Sequence, residues 1–275
     1  MLKTNRELIA LFQQFPDVRN IVKEYKLYPH NRLVVPRVKG ASPTLIGTAY
    51  DFWCRAFIQQ VNGREIETVL SKQVLHGVFD AKALAYITEE EKKELLVNVH
   101  AIWEMRAEYI QRKNIDEDKL LKGCLILAYC EQTFRSNEKP EIDYLTIKRK
   151  DFDDLKNLAT ETKNMARIFQ TKKSLYMNPT FGEYSRKVGG ADADYIIGNM
   201  LVDIKTSAYR ELKKEYIIQL LCYSFLARLQ NKRKIHQIGV FMPRFGRLSY
   251  IEIEDFKKII DIEQKFERFR DIICK

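Results

Sequence analysis

The sequence predicts an α/β protein: a small mixed sheet flanked by helices, carrying a large helical N-terminal part. Two observations lead there. Residues 189–223, GGADADYIIGNMLVDIKTSAYRELKKEYIIQLLCY, read as strand, turn, strand and then helix. The apolar runs Ala193–Ile197 and Met200–Ile204 flank Gly198-Asn199, a dipeptide suited to the left-handed backbone of a tight hairpin. Upstream, most segments instead repeat apolar residues at helical spacing. Many helices followed by strand–strand–helix–strand–strand–helix is an α/β order. No shift in composition forces two independent domains, so 1–275 reads as one domain, with 1–172 its helical part and 173–275 its α/β core.

Taken in order, residues 5–27 show helical periodicity interrupted at Pro16. Residues 28–46 read as irregular, with three prolines and a basic run (Arg32, Arg37, Lys39) suited to lying along phosphates. A helix is expected over Thr48–Gln60, with Ala49, Phe52, Trp53, Ala56 and Phe57 on one buried face. Further amphipathic helices are expected over 65–77, 88–113 and 117–135. Thr88 caps the second, and the following glutamates complement its dipole. Ile142–Ile147 reads as an extended connection, Asp151–Thr171 as helix and Asn178–Gly182 as a turn into the sheet. Beyond the hairpin come a helix over Glu211–Leu229, strands over Ile235–Met242 and Arg247–Ile253, and a closing helix over Asp255–Ile273.

Composition bounds the function. The 275 residues are enough for a substantial core, and 45% hydrophobic with 31% charged residues fits a globular protein. A net charge of +10 favours an anionic partner such as nucleic acid. Five cysteines, at 54, 124, 130, 222 and 274, form neither a disulfide framework nor a zinc motif, which points to a reducing, cytoplasmic setting. No 18-residue apolar run and no signal peptide is seen, so no membrane partner is expected. A protein partner or an oligomer remains open.

Strand side chains alternate faces, so Asp203 and Lys205 project together, as do Asp192 and Asp194 on the preceding strand. Two carboxylates and an ammonium are costly to gather on a sheet otherwise built of Ile, Leu and Val. A hard divalent cation between the carboxylates accounts for them. Acid-x-Lys alone is common in so charged a chain: Glu91–Lys93, Asp154–Lys156 and Glu161–Lys163 match it on helical stretches. What separates Asp203-Ile204-Lys205 is the apolar strand before it, the Asp eleven residues upstream across a hairpin, and the helix that follows.

Gly189-x-x-Asp192, Asp203-x-Lys205 and Gln219-x-x-x-Tyr223 together resemble the PD-(D/E)xK nuclease superfamily in its RecB-like exonuclease branch. The likeness covers the last third of the chain well and the rest loosely. It implies a restriction-endonuclease-like core with a four- or five-stranded mixed sheet. The implied activity is a Mg²⁺- or Mn²⁺-dependent deoxyribonuclease acting on single- or double-stranded DNA, in repair, recombination or anti-phage defence. Asp192, Asp203 and the carbonyl of Ile204 would bind metal, Lys205 would position the water, and Gln219 would organise the surroundings with Tyr223 near substrate. Asp194 would be a support residue or a solvated strand position. An upstream helix is expected to add a third acid: Glu131 as a ligand, with Asp51, in Gly47-x-x-x-Asp51, as a supporting or capping group. The closely spaced downstream cysteines of the iron–sulfur variants are lacking, so no cluster is expected. The rival class is a catalytically silent nuclease-like module that binds nucleic acid or a partner.

Overall fold

A computed structural model describes residues 6–13, 15–28, 32–64, 66, 88–136, 147–231 and 234–275. Ser42 opens the first long helix, α2 (Pro43–Asn62): its hydroxyl accepts from Leu45 N, and Pro43 loses nothing at a position with no helical donor to supply. The helix closes at Gly63 in the left-handed conformation (φ 59°). It therefore begins five residues before the expected Thr48. Before it lie α1 (Arg6–Phe12) and β1 (Lys23–Lys26); after it come α3 (Glu89–Ile110), α4 (Glu117–Ser136) and α5 (Arg149–Asn164). Helix α3 starts on a full capping box between Thr88 and Glu91. The helix expected over 65–77 and the connection expected over 142–147 lie almost wholly outside the described residues.

The α/β part follows as β2 (Leu175–Met177), α6 (Gly182–Lys187), β3 (Tyr195–Ile197), β4 (Met200–Ile204), α7 (Lys214–Asn231), β5 (Gln237–Met242), β6 (Arg247–Glu252) and α8 (Ile262–Cys274). Among the described residues these strands form one mixed sheet in the order β1-β6-β5-β4-β3-β2, with β4 and β5 parallel and every other pair antiparallel. Alternate side chains feed two cores. Tyr195, Val202, Phe241 and Leu248 face α2, α4 and α5; Ile196, Leu201, Val240 and Ile251 face α1, α7 and α8. An aromatic run binds α2 to the sheet: Trp53 stacks on Phe57, which meets Phe169, which sits edge-on to Phe241 at 5.0 Å. No helix among the described residues is long and apolar enough to cross a membrane.

Three expectations are corrected and one strand is added. Residues 23–26 are an edge strand paired with Tyr250–Arg247, not the end of a helix; the open edge of β6 outweighs local propensity. Residues 175–177 add a strand that sequence periodicity did not reveal. The closing helix is two pieces: a 3-10 stretch over Ile253–Lys258, then α8, whose Asp261 side chain caps it by accepting from Gln264 N at 2.9 Å. Likewise, the helix expected over Asp151–Thr171 starts at Arg149, stops at Asn164 and gives way to a 3-10 turn.

Candidate functional site

The β3–β4 hairpin turns at Gly198 (φ 59°) and Asn199, pairing Tyr195 with Val202 and Ile197 with Met200. Continued outward, that register sets Asp194 opposite Asp203, on the face that looks toward α7. Asp203 is buried. Its Oδ2 lies 2.6 Å from Lys205 Nζ in a largely buried ion pair. Burial, then the charge of Asp194, push the Asp203 carboxyl up to about 7, against the pull of Lys205. Burial pulls the other way on Lys205, yet Asp203 and Asp194 together hold its pKa above the ordinary lysine value. The ammonium also sits over the Tyr216 ring, 5.0 Å from its centre.

Asp194 is half-buried and accepts a hydrogen bond from Ile204 N at 2.5 Å, tying the two strands together just where the acids meet. This goes beyond a solvated strand position: it is the carboxylate that acts electrostatically on Asp203. Asp192 lies outside β3, exposed, in an isolated bridge to Thr180. Asn178 holds this acidic segment in place: its N donates to Asp194 O at 2.8 Å, and its side-chain amide donates to Ala193 O at 3.3 Å. Asn178 adopts φ 44°, a conformation asparagine tolerates better than most residues.

From α7, Gln219 and Tyr223 reach the same place. Gln219 Nε2 donates to Tyr223 Oη at 2.8 Å. Tyr223 is buried against Phe181, and burial raises its pKa to about 12, so it is a neutral phenol at ordinary pH. Its oxygen accepts from Gln219, which leaves its own hydrogen for another acceptor.

The opposite wall comes from α2 and α4. Gly47 permits the approach: a Cβ there would stand 3.3 Å from Thr206 Oγ1, one residue past Lys205. Asp51, one turn further on, accepts from Arg55 Nε at 2.8 Å in a largely buried ion pair. Glu131 projects from α4, half-buried. All the residues singled out by sequence line one open cavity of about 1000 Å³: Asp192, Asp203, Ile204, Lys205, Gln219, Tyr223, Glu131 and Asp51, with Asp194. They do not converge equally. Among the described residues no three His, Cys, Asp or Glu side chains form a metal-holding group.

Sequence reasoning missed several side chains at the site: Tyr216 beside Lys205, and Arg55 and Arg244 on the cavity wall. Tyr216 precedes Gln219 by three residues, a helical spacing that marks it as a neighbour. Arg55 follows Asp51 by four, the same kind of signal. Arg244 carried none. Its guanidinium is fully buried, donating to Asp154 at 3.1 and 2.6 Å, to Thr206 O at 2.7 Å and to Val35 O at 3.3 Å. It thus fastens the segment just beyond Lys205 to the helical layer.

Comparison with known protein families, with curated proteins and with solved structures returned no match for this chain.

Proposed function

We propose that the chain is a metal-dependent nuclease that hydrolyses phosphodiester bonds in DNA. One observation carries the reading: a buried Asp203 carboxylate that stands opposite Asp194 and is ion-paired at 2.6 Å with Lys205, two residues along on the same face, all lining an open cavity. Two carboxylates set side by side at the edge of a cavity are a donor set that suits a hard cation. Mg²⁺ or Mn²⁺ is commonly held by one or two carboxylates and several waters, so the lack of a third converging acid does not conflict with the fit. Asp194, Asp203 and the carbonyl of Ile204 would hold it, with Asp192 and Glu131 on the cavity wall around them. Bound there, the cation supplies Lewis-acid stabilisation of the phosphate charge.

The chain's own groups supply the rest. The Lys205 ammonium offers donors to the charge that develops on phosphate oxygens or to the attacking water. Gln219 fixes the Tyr223 phenol, whose free hydrogen can meet a substrate oxygen. Arg244 holds the Thr206 carbonyl and with it the end of the strand that bears Lys205.

The deciding experiment incubates pure protein with linear, circular and single-stranded DNA, and with RNA, with and without Mg²⁺ or Mn²⁺. Metal-dependent cleavage of DNA, lost in Asp203→Asn, supports the reading; no cleavage of any substrate under any metal overturns it. The second reading, a nuclease-like module that binds without cutting, is favoured by the Lys205–Asp203 ion pair and by the lack, among the described residues, of a third converging acid. It predicts nucleic-acid or partner binding with no metal-dependent turnover.

A further inference from the structure

The N-terminal turn of α5 breaks an electrostatic rule. Helix N-termini carry partial positive charge and favour acids. Here Lys148 is the N-cap, without any side-chain cap bond, and Arg149 and Lys150 follow it. All three are exposed. The one acid in that turn, Asp151, is buried and committed to Ser42 N at 2.8 Å. Asp154, one turn on, is likewise spent on Arg244 and on Val38 N at 3.0 Å. These two bonds lay the loop 36–42 across the start of α5. The loop brings two more exposed cations, Arg37 and Lys39. Where it passes Lys150 it bends at Gly40 (φ 80°), and a Cβ there would stand 3.2 Å from the lysine Nζ.

Five cations therefore share one surface. Arg149 faces Asp153 at 3.6 Å, with the arginine side chain 94% exposed, a pair of little worth. Among the described residues Arg37, Lys39, Lys148 and Lys150 have no ion-pair partner. Such a cluster repels itself and weakens its own helix, so stability does not account for it. The surface is continuous with the cavity, because Arg37 lines both.

We infer that loop 36–42 and the start of α5 form a track for the phosphate backbone of a nucleic-acid strand whose scissile bond lies in the cavity. The inference rests on the nuclease reading for the strand's destination, while its test is binding alone. The cations contact phosphates, so the track carries affinity and not base sequence.

The experiment measures anisotropy of labelled single-stranded and duplex DNA with metal chelated, over salt from about 50 to 200 mM. The variants are Arg37→Ala with Lys39→Ala, and Lys148→Ala with Arg149→Ala. The charge-matched control is Lys257→Ala with Arg268→Ala, on elements that pack against the other face of the sheet. Each phosphate contact contributes roughly 0.7 to the slope of log affinity against log salt for single strands, about 0.9 for duplex. Each patch variant should lower the single-strand slope by about 1.4. The control should keep the wild-type slope, and so should the charge-conserving Lys148→Arg with Arg149→Lys. The Lys148→Ala, Arg149→Ala protein should melt no lower than wild type, since it relieves the helix dipole. A lower melting temperature would make the cations structural and overturn the inference. Patch variants that keep the wild-type slope would also overturn it, while leaving the nuclease reading to its own cleavage assay. Wild-type protein that binds neither DNA would overturn the inference and likewise leave the nuclease reading to its cleavage assay.

Discussion

Asp154→Ala tests the strut that joins the two walls of the cavity. Both partners are dry: the Arg244 and Asp154 side chains are 1% and 0% exposed. The carboxylate receives both guanidinium ends and Val38 N, and removing it strands an arginine that cannot reach water. Leaving one member of a buried pair uncompensated costs about 3–5 kcal/mol. Against a total stability of about 5–15 kcal/mol that is a large fraction. At about 2–4 °C per kcal/mol for a chain of this order of size, melting should fall by roughly 10 °C. Urea denaturation gives the free energy and calorimetry the melting temperature. Replacing both partners, Arg244→Met with Asp154→Leu, should restore most of the loss, because two apolar side chains carry no stranded charge. Loss of Asp154 that costs less than about 1 kcal/mol would place the arginine in water and refute the reasoning. The double variant should still lack full cleavage, since Thr206 O has lost its donor.

Asp203→Asn should abolish cleavage while leaving metal-free DNA binding intact. Its stability carries a pH signature: the wild-type carboxyl, raised to about 7, prefers its proton in the fold, so its contribution falls as pH rises from about 4 toward 7. The melting difference between Asn and wild type should therefore open in favour of Asn over that window; a difference constant from pH 4 to 8 would contradict the burial argument. Lys205→Ala should lose most activity yet keep or gain Mn²⁺ affinity, since a neighbouring cation leaves; calorimetric titration showing lost metal binding would make the lysine structural. Comparing Asp51→Ala with Glu131→Ala over a Mg²⁺ series asks whether either acid supports the cation. Glu131, whose longer stem spans more distance from the cavity wall, should show the larger rise in metal requirement, and an unchanged requirement in both would leave Asp194 and Asp203 alone.

The floor of the site was legible because it depends on local periods. Apolar alternation gives β4, period two puts Asp203 and Lys205 on one face, and period 3.6 does the same for Gln219 and Tyr223. One further step was available in the same stretch. A two-residue turn at Gly198-Asn199 pairs Ile197 with Met200, and counting outward sets Asp194, not Asp192, across from Asp203. The Gly-x-x-Asp spacing points instead to Asp192, which lies outside β3 in an isolated bridge to Thr180. Asp261-x-x-Gln264 was likewise a readable start for the last helix. The edge strands KEYK and LYM were not readable: each is too short for a period, and the neighbouring open edge decides its conformation.

The rest of the site was out of reach for a different reason. Arg244 and Asp154 stand 90 residues apart, and the contact of Gly47 with Thr206 spans most of the described fold. Nothing local distinguishes an arginine that will be buried from one that will be solvated. The same long-range closure lays loop 36–42 on α5 and so assembles five cations from two segments more than 100 residues apart. Chemistry and access are thus specified at different ranges of sequence. The groups proposed to act on phosphate lie within some 30 residues, whereas the wall that decides what can reach them is set by contacts between distant segments. A change in that wall can alter which strand enters while leaving Asp194, Asp203 and Lys205 where they are.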